Sequence, residues 1–267
     1  RLVIIIALLF TATGGVVSLL WAYAASALIM GTIAWSFLPR DYVRFERPQP
    51  GMARELFSFA KWVVMAACFT TLAQRVDLFL LAMFQAPQEA IGHYGAAASL
   101  SQVGDLIVMT LFNVLLPTAS KITDADAMRA FLRRFRLPAM LMGLAILPGV
   151  LAAGPITRLT FGPAYAETGT LFAVLLAGTL ATLIAAPSGT AVYGLGRSHL
   201  IAWLEGAKLV ALIAGGLYAA PRYGALGMAW TAASVKATMA LATYFAAHRE
   251  IDRLRAEGGN SERRAAP

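Results

Sequence analysis

The sequence predicts an all-α protein: a polytopic transmembrane helical bundle of about eight spans. Three observations predict it. Hydrophobic residues make up 59% of the 267 and charged residues only 13%, about half the charge of an ordinary soluble domain. Mean hydropathy is +0.68, and several apolar runs reach the roughly 20 residues a helix needs to cross a bilayer. Lysine and arginine alternate between rich and poor loops along the chain, a pattern that multi-pass membrane proteins follow.

Taken in order, residues 2–38 are too long for one span and carry "TGG" at 13–15, which divides them into helices over about 2–14 and 17–38. The chain opens at Arg1 on apolar sequence, with no charged region and small-residue cleavage site of a signal peptide. It reads as a cut inside a larger protein, with its first helix truncated. Further runs follow at about 57–84, 95–117, 136–154, 170–194, 198–219 and 225–247. Gly and Pro punctuate the breaks, in "QAPQEAIG", "FGPAY", "GLGRS" and "APRYG". Residues 248–267 are charged and small, and are expected to fray. Pro148 and Pro187 fall inside spans, where proline kinks a helix while neighbours re-satisfy the freed carbonyl.

Basic residues then orient the bundle. Arg1, Arg40, Arg44, Arg47 and Arg54 fall on one set of loops and ends, as do Lys121, Arg129, Arg133, Arg134, Arg136 and Arg197. Arg249, Arg253, Arg255, Arg263 and Arg264 complete that set; the opposite set holds only Arg158 and Arg222. The richer side is expected in the cytoplasm, and with it the C-terminus. This distribution accounts for the net charge of +8, so no nucleic-acid partner is expected.

Four cations remain inside spans: Lys61, Arg75, Lys208 and Lys236. Lys61 lies near the end of its helix and can snorkel to the headgroups. Arg75 lies about 13 Å below the outer face and Asp77 about 10 Å, at 1.5 Å per helical residue. Asp105, on the next antiparallel helix, comes out about 16 Å deep, so Arg75 and Asp105 are candidates to pair. Lys208 and Lys236 both fall near the bilayer centre. Glu205 shares a helix face with Lys208 at i−3 and can neutralise it. Lys236, in "AASVKATMA", has no acid within a turn. Either it loses its proton through desolvation or it meets an anion. Gln74, Gln102 and Asn113 add polar groups. Intramembrane charges usually face a bundle interior or a water-filled cavity, so the candidate site is Gln74, Arg75, Asp77, Asp105, Lys208 and Lys236, with an anionic head group as its natural occupant.

Other chemistry is not supported. Cys68 is the sole cysteine, and His93, His199 and His248 are far apart in loop or end positions, so no metal site or triad is expected. "GTAVYGLGRS" follows no βαβ unit and carries no nucleotide reading. Trp21, Tyr94, Tyr165 and Tyr223 are placed in interfacial belts. An enzyme is not expected, nor is a cofactor.

The stretch "LFSFAKWVVMAACFTTLAQRVDLFLLAMF", followed by "IGHYGAAASL" and "LFNVLLPTASK", resembles the Wzx-type polysaccharide transporters, the O-antigen and exopolysaccharide flippases. "FGPAYAETGTLFAVLLAGTL" and "RYGALGMAWTAASV" resemble that family's outer loop running into the tenth helix and its entry to the last core helix. The likeness runs from Glu55 to about His248. It implies the C-terminal part of a two-lobed, V-shaped transporter that moves lipid-linked oligosaccharide across the bacterial inner membrane by alternating access. In that reading 1–38 are the last two helices of the N-terminal lobe and 39–56 a cytoplasmic connection. Residues 57–248 form the six-helix C-terminal lobe, and 249–267 a cytoplasmic tail. The resemblance further implies a polyprenyl pyrophosphate substrate, membrane lipids around it, coupling to H+ or Na+, and a glycan polymerase or export machinery as partner. Asp77 matches the family's recurring aspartate in this helix.

Three other readings compete. A cation-coupled multidrug extruder of the same superfamily would select cationic compounds, which suits three midplane cations poorly. A lipid II flippase fits no better than a variable-glycan flippase. A membrane glycan polymerase would carry large charged outer loops, whereas these are short.

Overall fold

The computed structural model describes residues 16–37 and 51–265. Helix α1, Val16–Ser36, stands in one unit of the chain. The other unit begins at Arg54 and holds the remaining helices. These are α2, Met52–Met83; α3, Gln88–Ala119; α4, Ala125–Leu151; a short α5, Ala153–Phe161; and α6, Thr168–Gly194. The run Ser198–Ala265 is broken at Gly224, whose φ of 56° and ψ of −143° are open to glycine and strained for other residues. It is therefore two helices, α7 over 198–223 and α8 over 225–265. The described secondary structure is all helical, and α2, α3, α4, α6 and the α7–α8 run are each long and apolar enough to cross a membrane. The expected all-α, polytopic membrane architecture is borne out; the expected helix over 2–14 lies outside the described residues.

Three predicted helix starts are too late, that of α2 by five residues, at Met52 rather than 57. Helix α3 begins at Gln88 rather than 95, and α4 at Ala125 rather than 136. In α4 the reason is legible: Met128, Phe131, Leu132 and Ala139 are buried along one face, while Arg133, Arg134 and Arg136 are exposed. An amphipathic start of this kind is hidden from a hydropathy window. Asp124 caps the helix, its carboxylate accepting from the Ala127 N–H at 2.8 Å. The C-terminal stretch is also corrected, because helix continues through residues expected to fray. Ile251 is buried there, and Arg129 of α4 reaches Asp252 at 2.5 Å.

Helix α6 is the hub. It is apolar around its whole circumference, and over half of its central window is buried, against about a sixth in α3 and α4, as expected of a helix surrounded by others. Small residues set how closely its neighbours approach. A Cβ on Gly178 would lie 2.8 Å from the Ala233 Cα of α8, and one on Gly104 of α3 would lie 3.0 Å from Thr179 Cγ2. Helix α2 attaches through side chains: Leu80 and Leu81 enter the core, and the Phe69 ring covers Gly206 of α7.

Candidate functional site

The two glycine contacts place three polar side chains together. Gly104 precedes Asp105, Gly178 precedes Thr179, and Ala233 lies one helical turn before Lys236. Where the backbones close on each other, Asp105, Thr179 and Lys236 converge. Lys236 Nζ donates to Asp105 Oδ1 at 3.0 Å, to Asp105 Oδ2 at 3.2 Å and to Thr179 Oγ1 at 3.0 Å. Thr179 Oγ1 in turn donates to Asp105 Oδ1 at 3.2 Å. Thr179 is eleven residues into α6 and Lys236 twelve past Gly224, so each lies about 17 Å from the nearer helix start, close to the middle of a 30 Å hydrocarbon core. The cluster is not sealed: the Lys236 side chain is 27% exposed and that of Asp105 40%.

This corrects the expected pairing of Asp105. Its partner is Lys236, on a helix far away in sequence, and not Arg75. Arg75 and Gln74 are both exposed, and neither makes a hydrogen bond or ion pair among the described residues. The acid missing from Lys236's own helix is thus supplied by α3. Of the two alternatives that the sequence left for Lys236, the geometry supplies the anionic partner.

Asp77 lies in the wall between α2 and α3. It is buried, accepting from the Tyr94 hydroxyl at 2.8 Å and from the Leu78 N–H at 2.8 Å. Tyr94 is fully buried, so its expected place in an interfacial belt is corrected; Trp21 and Tyr223 are exposed as expected. Lys208 forms its predicted ion pair with Glu205, and Thr70 of α2 donates to Glu205 at 2.8 Å. That second cluster joins α7 to α2, and no hydrogen bond or ion pair links it to Lys236 among the described residues.

His93 is likewise inside a helix and not in a loop. It is buried, its Nδ1 lies 2.9 Å from the Thr168 hydroxyl, and its ring meets Tyr165 edge-on at 5.1 Å. With Glu167, Thr170 and Leu226 it lines a cleft of about 250 Å³ where α3, α6 and α8 begin. Among the described residues no group of three His, Cys, Asp or Glu side chains could hold a metal ion.

The site residues that sequence reasoning missed are Thr179 and Tyr94. A threonine in "LLAGTLATL" is silent in sequence, because such hydroxyls commonly bond their own helix, as Thr190 does with the Ala186 carbonyl.

Comparison with known proteins bears on this arrangement. A family described as "Polysaccharide biosynthesis protein" matches residues 1–123. A "Putative O-antigen transporter" of Shigella flexneri is 25% identical over 217 residues, which cover 77% of this chain and 51% of that protein. The chain thus spans about half the length of that relative. No solved structure matches it. The likeness to polysaccharide transporters of the Wzx type, first carried by the order of motifs, is borne out by both matches, and the long apolar helices make this chain part of a multi-pass membrane protein.

Proposed function

We propose that the complete protein flips a lipid-linked oligosaccharide across the bacterial inner membrane by alternating access. The observation that carries this reading is the partly exposed cation, Lys236, held at mid-span and flanked by a hydroxyl and a carboxylate. A charge placed there and left open is costly unless an occupant uses it. The polyprenyl pyrophosphate of a lipid-linked glycan is anionic and must pass the bilayer centre. Arg75, exposed and without an internal partner among the described residues, would add to the attraction.

Asp77 would serve differently. A buried carboxylate holding a tyrosine donor suits ion coupling better than contact with sugar. In this reading the basic 39–56 segment joins two lobes and lies, with the C-terminus, in the cytoplasm, as the distribution of Lys and Arg suggests. Lys208, neutralised by Glu205, would be structural.

The test is made in a bacterial strain lacking its own flippase. With the complete protein present, lipid-linked oligosaccharide should become accessible on the periplasmic face, and Lys236→Ala should abolish this. Failure to appear with any of a panel of glycans would overturn the reading in favour of drug extrusion.

A further inference from the structure

The carboxylates within and beside the apolar runs differ in how open they are. Glu250 is sealed: its side chain is 4% exposed, with Arg197 at 3.1 Å and Arg253 at 2.6 Å. Asp77 is sealed too, with each oxygen holding a donor. Asp105 is built otherwise. It holds a lysine and a threonine hydroxyl, yet its side chain is 40% exposed and the lysine stays partly accessible beside it. The Glu205–Lys208 pair is intermediate, at 24% and 21% exposed, and Arg129–Asp252 is open only beyond the apolar run of α8. Asp105 is thus the most open paired carboxylate inside the apolar runs, where losing a partner leaves a costly bare charge. Its pair with Lys236 is open to competitors.

We infer that Asp105 is an exchangeable counter-ion: an incoming phosphoryl group displaces its carboxylate from Lys236, and the carboxylate returns when the anion leaves. The inference rests on the reading above that the occupant is anionic. Two oxygens of one carboxylate now sit 3.0 and 3.2 Å from Lys236 Nζ, and a phosphoryl group presents oxygens of the same kind to a lysine acting as a point charge. Thr179 equips the site for both occupants. Its hydroxyl now donates to Asp105, and a hydroxyl can turn its proton to whichever anion is present. Exchange also keeps Lys236 neutralised at every stage, so neither the empty nor the loaded site leaves a bare ammonium in the membrane. Binding is weakened by the resident carboxylate, which makes release attainable.

The test is calorimetric titration of inorganic pyrophosphate into the complete protein in detergent. Asp105→Asn should bind about fivefold more tightly, the effect expected when one competing charge at a partly exposed position is removed. Asp105→Glu, which keeps the charge, should bind like the wild type, and Lys236→Gln should not bind. If Asp105→Asn binds no better than the wild type, or weakens in step with Lys236→Gln, exchange is wrong and the anionic site survives. If even the wild type binds no pyrophosphate, the anionic reading fails, and exchange with it.

Discussion

Lys236 and Asp105 meet at 3.0 Å although 131 residues separate them in the chain. Neither is neutralised by its own helix. The pair therefore exists only once α3 and α8 are both docked on α6, and it reports on the assembled bundle.

Removing one member should be worse than removing both. Lys236→Met leaves Asp105 without its cation and is expected to lower stability by about 1–2 kcal/mol, less than a fully buried pair because the site is half open. Adding Asp105→Asn should recover most of that loss. Unfolding of the complete protein in detergent, arranged as a double-mutant cycle, measures the coupling.

Tyr94→Phe deletes the hydroxyl that donates to Asp77 and leaves a buried carboxylate oxygen unsatisfied. A loss of about 1–3 kcal/mol is expected, and the double variant with Asp77→Asn should lose less. A Tyr94→Phe protein as stable as the wild type would mean that water replaces the hydroxyl.

Gly178→Ala tests how the cluster is positioned. The new methyl would lie 2.8 Å from the backbone of Ala233, so α8 must move away. Overpacking of this sort is expected to destabilise by about 1–3 kcal/mol. It should also impair transport through Lys236 while leaving Glu205 and Lys208 undisturbed, which separates a displaced helix from general misfolding.

Arg75→Ala should leave the melting temperature unchanged, since the side chain is exposed and bonded to nothing among the described residues. Transport should fall nevertheless, because a cation has been lost from the path. Unimpaired transport would remove Arg75 from the site.

The fold was legible wherever a helix is apolar along its length. Helix α6 was placed within two residues, and the break at "APRYG" fell where Gly224 adopts its positive φ. Hydropathy failed at the amphipathic starts of α3 and α4 and at the charged continuation of α8, where burial lies on one face only. In the site, sequence found the charged residues, because a charge in an apolar run is conspicuous. Depth alone could not pair them: Arg75 and Lys236 were both within plausible range of Asp105, and rotation about the helix axes decided between them. Glu205 and Lys208 were paired correctly because i,i+3 geometry is local. Thr179 was invisible, since a hydroxyl adds almost nothing to a hydropathy sum.

The two lysines near mid-span are neutralised in different ways, and this has a consequence for how the chain enters the bilayer. Lys208 brings its counter-ion on its own helix, so α7 can partition into lipid as soon as it leaves the insertion machinery. Lys236 depends on an aspartate synthesised much earlier. Helix α8 is therefore expected to insert efficiently only where 88–194 are already in place to receive it. Glycosylation mapping of α8 with and without those residues would show it, as full insertion in their presence and partial insertion in their absence. Read this way, Asp105 acts before any cargo arrives, as the residue that admits α8 to the membrane.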